Sequence, residues 1–190
     1  MCLLVWTIGS LPTIAQTTDP SAKLIKVAIY DHSTKGASSG RKNLEAFLTP
    51  ENGFITTHAT PESIRAGALD QQDVLIMPGG SGSKQALALG SDGKQMIKNF
   101  VAQGKGYVGI CAGSYLATNH YSWSLGLINA KAVDTKHWAR GTGQVTLDFT
   151  DNGKSILQYN QPTSKVYYGQ GPLLAPGDST DAPKFQTLAT

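Results

Sequence analysis

Cysteine is nearly absent: of 190 residues only Cys2 and Cys111 carry a thiol, which excludes a disulfide-stapled scaffold. Long hydrophobic runs are equally scarce. After the first sixteen residues every apolar stretch is broken early by glycine or a polar residue, far short of the roughly 20 residues that span a bilayer, so no membrane partner is expected. An excess of one charge is missing too: 16 basic and 13 acidic residues leave a formal net charge of +3, without any run of five like charges. That balance argues against a nucleic-acid surface. No cluster of His, Cys, Asp and Glu has metal-ligand spacing, and no glycine-rich segment ends in the Lys-Ser/Thr of a phosphate loop, so neither a metal nor a cofactor is expected. Repeats, low-complexity segments and linkers are absent, and the length suits one domain with an ordinary core. Nothing in the composition indicates an oligomeric state.

What is present begins with MCLLVWTIGSLPTIAQ, an uncharged apolar start that closes on small residues around Ala15. It reads as a secretory signal over residues 1–15, which implies a secreted or periplasmic protein; a buried first strand or a frayed terminus is the alternative, because a basic n-region is lacking. Removal of Cys2 with that segment leaves Cys111 alone. It is then an inert buried side chain, a reactive group or an intermolecular linker.

From Leu24 the chain alternates strand and helix patterns over a domain that covers 24–190. LIKVAIY reads as a buried strand that stops at Asp31, and Leu44, Phe47 and Leu48 form the stripe of a helix ended by Pro50. FITTHA is a second strand, followed by Thr60-Pro61, a helix-start signal. VLIMP is a central strand that runs into GGSGS; Ser91 then caps a helix that buries Met96, Ile97, Phe100 and Val101 and leaves through Gly104. Tyr107 to Ile110 is the next strand. This order predicts an α/β fold with a doubly wound parallel sheet, whose ligands sit beyond the carboxyl ends of the strands. QVTLDFT alternates like a half-exposed strand before Asp151-Asn152-Gly153, which predicts an antiparallel hairpin added to the sheet. The Pro/Gly/Asp-rich tail, residues 175–183, is expected to be loosely held.

Within GYVGICAGSYLAT, Cys111 sits between Gly109 and Gly113 at a strand-to-helix junction, the pattern of a nucleophile elbow. The glycines leave room for a sharp turn that exposes the sulfur, and the following helix start favours the thiolate. A small buried hydrophobe is the bland alternative. GGSGS ends a neighbouring strand, so the N–H groups of Gly79 and Gly80, with that of Ala112, are candidate donors to the oxyanion of an acyl intermediate. A flexible turn is the alternative there.

MPGGSG, GYVGICAGSYLA, KHWARGTGQV and VYYGQGPLL together resemble the biotin-protein ligase N-terminal-like family, a branch of the class I glutamine amidotransferase-like superfamily that includes intracellular-protease-like proteins. The resemblance implies a flavodoxin-like core with a cysteine site. It does not imply ligase chemistry, for which no nucleotide-binding glycine-lysine motif is present. Amidotransferases of this superfamily complete a Cys-His-Glu triad with a His-Pro-Glu or His-x-Glu motif near the C-terminus, whereas the last histidine here is His137. The sequence is then a fragment or truncated gene lacking a C-terminal strand and histidine loop, or a version without the usual base. Asp31 is the positional match to an acidic residue that contacts the cysteine in the intracellular-protease-like branch; a loop aspartate capping its own turn is the alternative.

His137, beside Trp138 and Arg140, combines an imidazole, an aromatic wall and an anion-binding guanidinium, as in a substrate-recognition loop, or else is a surface histidine beside a packing tryptophan. Tyr168 and Gln170, before Gly171-Pro172, are further pocket candidates, while His58 and His120 read as structural. The expected function is cysteine-dependent hydrolysis or amido transfer on a small-molecule amide or peptide-like ligand. A non-catalytic binding module on the same fold is the alternative. No histidine is expected in direct contact with Cys111, and at most a carboxylate such as Asp31.

Overall fold

The computed structural model describes residues 23–31, 39–133 and 141–190. The signal-like segment 1–15, Cys2, His32, His137 and Arg140 lie outside the described residues. The first half of the chain alternates as β1 (Ile25–Tyr30), α1 (Ser39–Phe47), β2 (Phe54–Ala59), α2 (Pro61–Arg65), β3 (Val74–Met77), α3 (Gly82–Ala102), β4 (Gly106–Gly109) and α4 (Ala112–Ala117). The four strands form one parallel sheet in the order β2-β1-β3-β4, with Ile29 opposite Ile76 and Ile76 opposite Val108. The chain moves outward from β1 to β2, then returns to the other side of β1 for β3. This reversal makes a topological switch point between β1 and β3, beyond whose carboxyl ends a doubly wound sheet opens its crevice.

Strand alternation distributes side chains to two apolar layers. Ala28, Tyr30, Leu75 and Met77 pack with Ile64, Leu89, Ile97, Phe100 and Leu116 from α2, α3 and α4, whereas Val27, Ile29 and Ile76 meet Leu44 and Leu48 around α1. Burial on both faces explains why residues 27–30 of β1 and the whole of β3 are continuous apolar runs. Local signals set several helix ends. Thr60 Oγ1 accepts the Ser63 N–H at 3.2 Å while Ser63 Oγ accepts the Thr60 N–H at 2.9 Å, and Pro61 occupies the first helical position. Gly104 leaves α3 at φ +84°.

The helix expected from Ser91 does start there, because Gly90, at φ +65°, ψ −172°, kinks α3 and separates it from an earlier helical segment that begins at Gly82 under the cap of Ser81. Two of the five GGSGS residues are therefore helix rather than loop. Two expectations need correction. Asp151-Asn152-Gly153 is not a hairpin turn but the first turn of α5 (Asp151–Leu157), capped by Thr150 Oγ1, which accepts the Gly153 N–H at 2.9 Å. β6 (Thr142–Asp148) and β7 (Thr163–Gly169) do pair antiparallel, but they form their own two-stranded sheet. A second antiparallel pair joins β5 (Ala130–Val133) to β8 (Leu173–Pro176).

Nor is the tail loose. Asn129 donates its side-chain amide to the Ser179 carbonyl at 2.7 Å, accepts the Ser179 N–H at 3.2 Å and donates its backbone N–H to Pro183 at 2.8 Å. Further on, Asp148 and Thr190 exchange backbone hydrogen bonds, and Thr150 donates to Leu188. Among the described residues no helix is long and apolar enough to cross a membrane.

Candidate active site

β4 stops at Gly109, and two residues later Cys111 turns the chain into α4 with φ +51° and ψ −101°. Positive φ is uncommon for a residue with a Cβ and persists only where the surroundings impose it. Here they do. A Cβ on Gly109 would stand 2.5 Å from the Gly113 carbonyl oxygen, and one on Gly113 would overlap the carbonyl oxygen of Met77 on the neighbouring strand. Both glycines of the Gly-x-Cys-x-Gly pattern are thus sterically required. The turn is tied twice more, because Ser114 Oγ donates to the Gly109 carbonyl at 2.7 Å and Tyr107 donates its hydroxyl to the Gly113 carbonyl at 2.8 Å. Burial holds the Tyr107 phenol far above the ordinary tyrosine range, so it stays a hydrogen-bond donor.

The loop after β3 lies against this turn. A Cβ built on Gly79 would be 3.5 Å from Cys111 Cβ, and Gly80 adopts φ +138°, where a side chain would be strained. Among the described residues, the N–H groups of Gly79, Gly80 and Ala112 find no protein acceptor. Gln85 anchors the loop from below: its side chain is buried, and Nε2 donates to the Pro78 carbonyl at 2.9 Å while Oε1 has no partner among the described residues.

Cys111 is half-buried, and its Sγ lies 3.6 Å from the carbonyl oxygen of Gly169, within reach of a thiol donor. Gly169 ends β7, and the next residue, Gln170, takes φ +62°. Tyr115 of α4 donates its hydroxyl to the Gln170 carbonyl at 3.4 Å, and Tyr168 donates to Gly171 at 2.9 Å. The structure therefore places Gly79 and the end of β7 beside Cys111, with Ala112 and Gln170 as their chain neighbours. Asp31 stands at the same sheet edge, two strands from β4, with its carboxylate on the guanidinium of Arg41.

Arg41 also pairs with Glu45 at 3.3 Å, and Glu45 bonds His58 Nε2 at 2.7 Å, so His58 has a structural partner. His120 packs edge-on against Tyr121, which stacks on Trp123 at 4.6 Å. A groove of about 540 Å³ along α3 is lined by Lys84, Leu87, Lys94 and Trp123, with Trp123 packed on Gly82. No group of three potential metal ligands occurs among the described residues.

Sequence reading missed Gln85, Tyr107, Ser114, Tyr115 and Gly169. Ser114 and Tyr115 stand in the elbow segment itself, and the Pro78 carbonyl that Gln85 holds adjoins the glycine loop, so proximity was the available signal. Gly169 stands between the pocket candidates Tyr168 and Gln170, although 58 residues separate it from Cys111.

A parallel sheet in the order 2-1-3-4, with a strained cysteine turn after its last strand, defines a doubly wound α/β domain. The family model described as "Biotin-protein ligase, N terminal" matches residues 25–140, and the chain belongs to that family. No curated protein matches the chain. Among solved structures, a 1.5 Å crystal structure of a putative peptidase E protein from Listeria monocytogenes EGD-e is similar at 19% identity and TM-score 0.41. The match covers 55% of this chain and 55% of that chain, so it spans about half the length of the solved protein.

Proposed function

We propose that the protein is a cysteine-dependent hydrolase or amidotransferase that acts on an amide or related acyl group of a small or peptide-like ligand. The observation that carries this reading is the strained Cys111 turn, wedged between two glycines that admit no side chain and adjoined by Gly79, with the N–H groups of Gly79, Gly80 and Ala112 lacking a protein acceptor among the described residues. A structural cysteine needs neither the strain nor the donors.

In this reaction Sγ, after losing its proton, attacks the acyl carbon and forms a C–S bond, while the carbonyl π electrons move to oxygen. The N–H donors hold that oxyanion; each such donor is typically worth about 3 kcal/mol. The electrons then return to re-form the carbonyl, and the C–N bond breaks as the nitrogen takes a proton and departs. Water, or an acceptor amine, next attacks the thioester and releases the thiol. Tyr168 and Gln170 flank the approach and belong to the ligand side of the site.

The proton of Sγ faces a carbonyl, which can accept a hydrogen bond but cannot take the proton. That contact favours a second reading, a ligand-binding module without turnover. The test is ammonia and acid release from a panel of primary amides, together with calorimetric titration. Slow turnover abolished in Cys111→Ser supports the enzyme; saturable binding without product supports the module and overturns the enzyme.

A further inference from the structure

The contact between Cys111 Sγ and the Gly169 carbonyl has a physical consequence of its own. Gly169 and Gln170 lead out of β7 beside the elbow towards the buried Gly171-Pro172, and two phenols bond to this path: Tyr115 of α4 donates to the Gln170 carbonyl at 3.4 Å and Tyr168 of β7 donates to the Gly171 carbonyl at 2.9 Å. Gln170 carries its side chain at φ +62°, a conformation that relaxes readily once the flanking bonds are lost. With the Gly169 oxygen 3.6 Å from the sulfur, this segment fills space that an acyl carbon must enter, since reacting atoms approach to roughly 3–3.5 Å before bond formation.

We propose that Gly169 and Gln170 are a displaceable strap beside Cys111, and that Tyr115 and Tyr168 are positioning residues that hold it in place. A ligand reaches the sulfur by replacing the Gly169 carbonyl, so access to the thiol is set by the balance between the two phenol bonds and whatever the ligand offers to the strap. The consequence for catalysis rests on the nucleophile reading above; the strap itself does not.

The experiment follows labelling of Cys111 in the full chain, quantified on its peptide by mass spectrometry so that Cys2 is not counted. Two reagents are compared, the small iodoacetamide and the bulky aromatic disulfide 5,5′-dithiobis(2-nitrobenzoate). Tyr115→Phe and Tyr168→Phe each remove one net hydrogen bond and are expected to raise labelling by the bulky reagent about 2- to 10-fold. The rate with iodoacetamide rises less, so the ratio between reagents shifts. If Tyr115→Phe does not fold, Tyr168→Phe decides. Unchanged rates in a folded variant, or equal rises with both reagents as general loosening would give, overturn the strap. Faster labelling without any amide turnover leaves the strap standing and removes the catalytic reading, whereas turnover with unchanged labelling does the reverse.

Discussion

Gly113→Ala is the sharpest probe of the elbow. The added Cβ would overlap the Met77 carbonyl oxygen and lie 2.7 Å from Met77 Cβ and 2.9 Å from Met77 C, two of these three atoms being main chain. Ordinary contact needs ~3.5 Å or more between such atoms, so α4 must move away from β3 by about 1 Å. Overpacking of a core typically costs 1–3 kcal/mol, and the upper end applies because little of the obstruction can rotate away. Replacing glycine by alanine inside a helix returns up to ~1 kcal/mol. The expected net loss is ~2–3 kcal/mol, or about 4–12 °C in Tm for a chain of this size.

Gly143→Ala is the control. A Cβ there meets nothing within 4 Å, and Gly143 lies in β6 without positive φ. It should be neutral or stabilising by about 0.4–1 kcal/mol, through the lower entropy of the unfolded chain. Urea unfolding reads both variants as shifts in midpoint at constant slope. A Gly113→Ala protein within about 0.5 kcal/mol of the parent would refute the argument that backbone contact with Met77 forces glycine at this position.

Two further outcomes follow from other parts of the structure. Gln85→Met gives up the bond to Pro78, worth about 0.5–1.5 kcal/mol, but also removes the buried Oε1, which has no partner among the described residues and whose burial costs a similar amount. Stability should therefore change little, while amide turnover falls about tenfold or more because the Gly79-Gly80 loop loses its anchor; unchanged turnover in the folded variant would remove Gln85 from the site. Asp73 accepts the Lys26 N–H at 3.0 Å and pairs with Lys105 at 3.1 Å, and these hold its carboxyl below the usual aspartate range. A lowered folded value means the contribution is present above the ordinary aspartate range and disappears as pH falls through the lowered one. Urea titrations across pH 7 to 3 should show Asp73→Asn less stable at neutral pH, with the gap closing on acidification; a gap independent of pH would exclude this ionisation.

The sequence by itself determined the parallel α/β core, because its signals act over one turn or one strand. Continuous apolar runs at 27–30 and 74–77 require cover on both faces, Thr60-Pro61 carries a helix-start signal, and glycines flanking Cys111 permit one sharp turn. Tertiary structure decided what faces the sulfur. Cys111 meets Gly169 across 58 residues, Asp31 meets Arg41, and Asn129 pins a tail whose composition reads as loose. Asp151-Asn152-Gly153 has the composition of a hairpin turn, yet its backbone folds as a helix under the Thr150 cap and packs Gly153 against the Leu188 carbonyl. Such contacts depend on strand order and on where distant segments dock, and no local pattern of residue types encodes them.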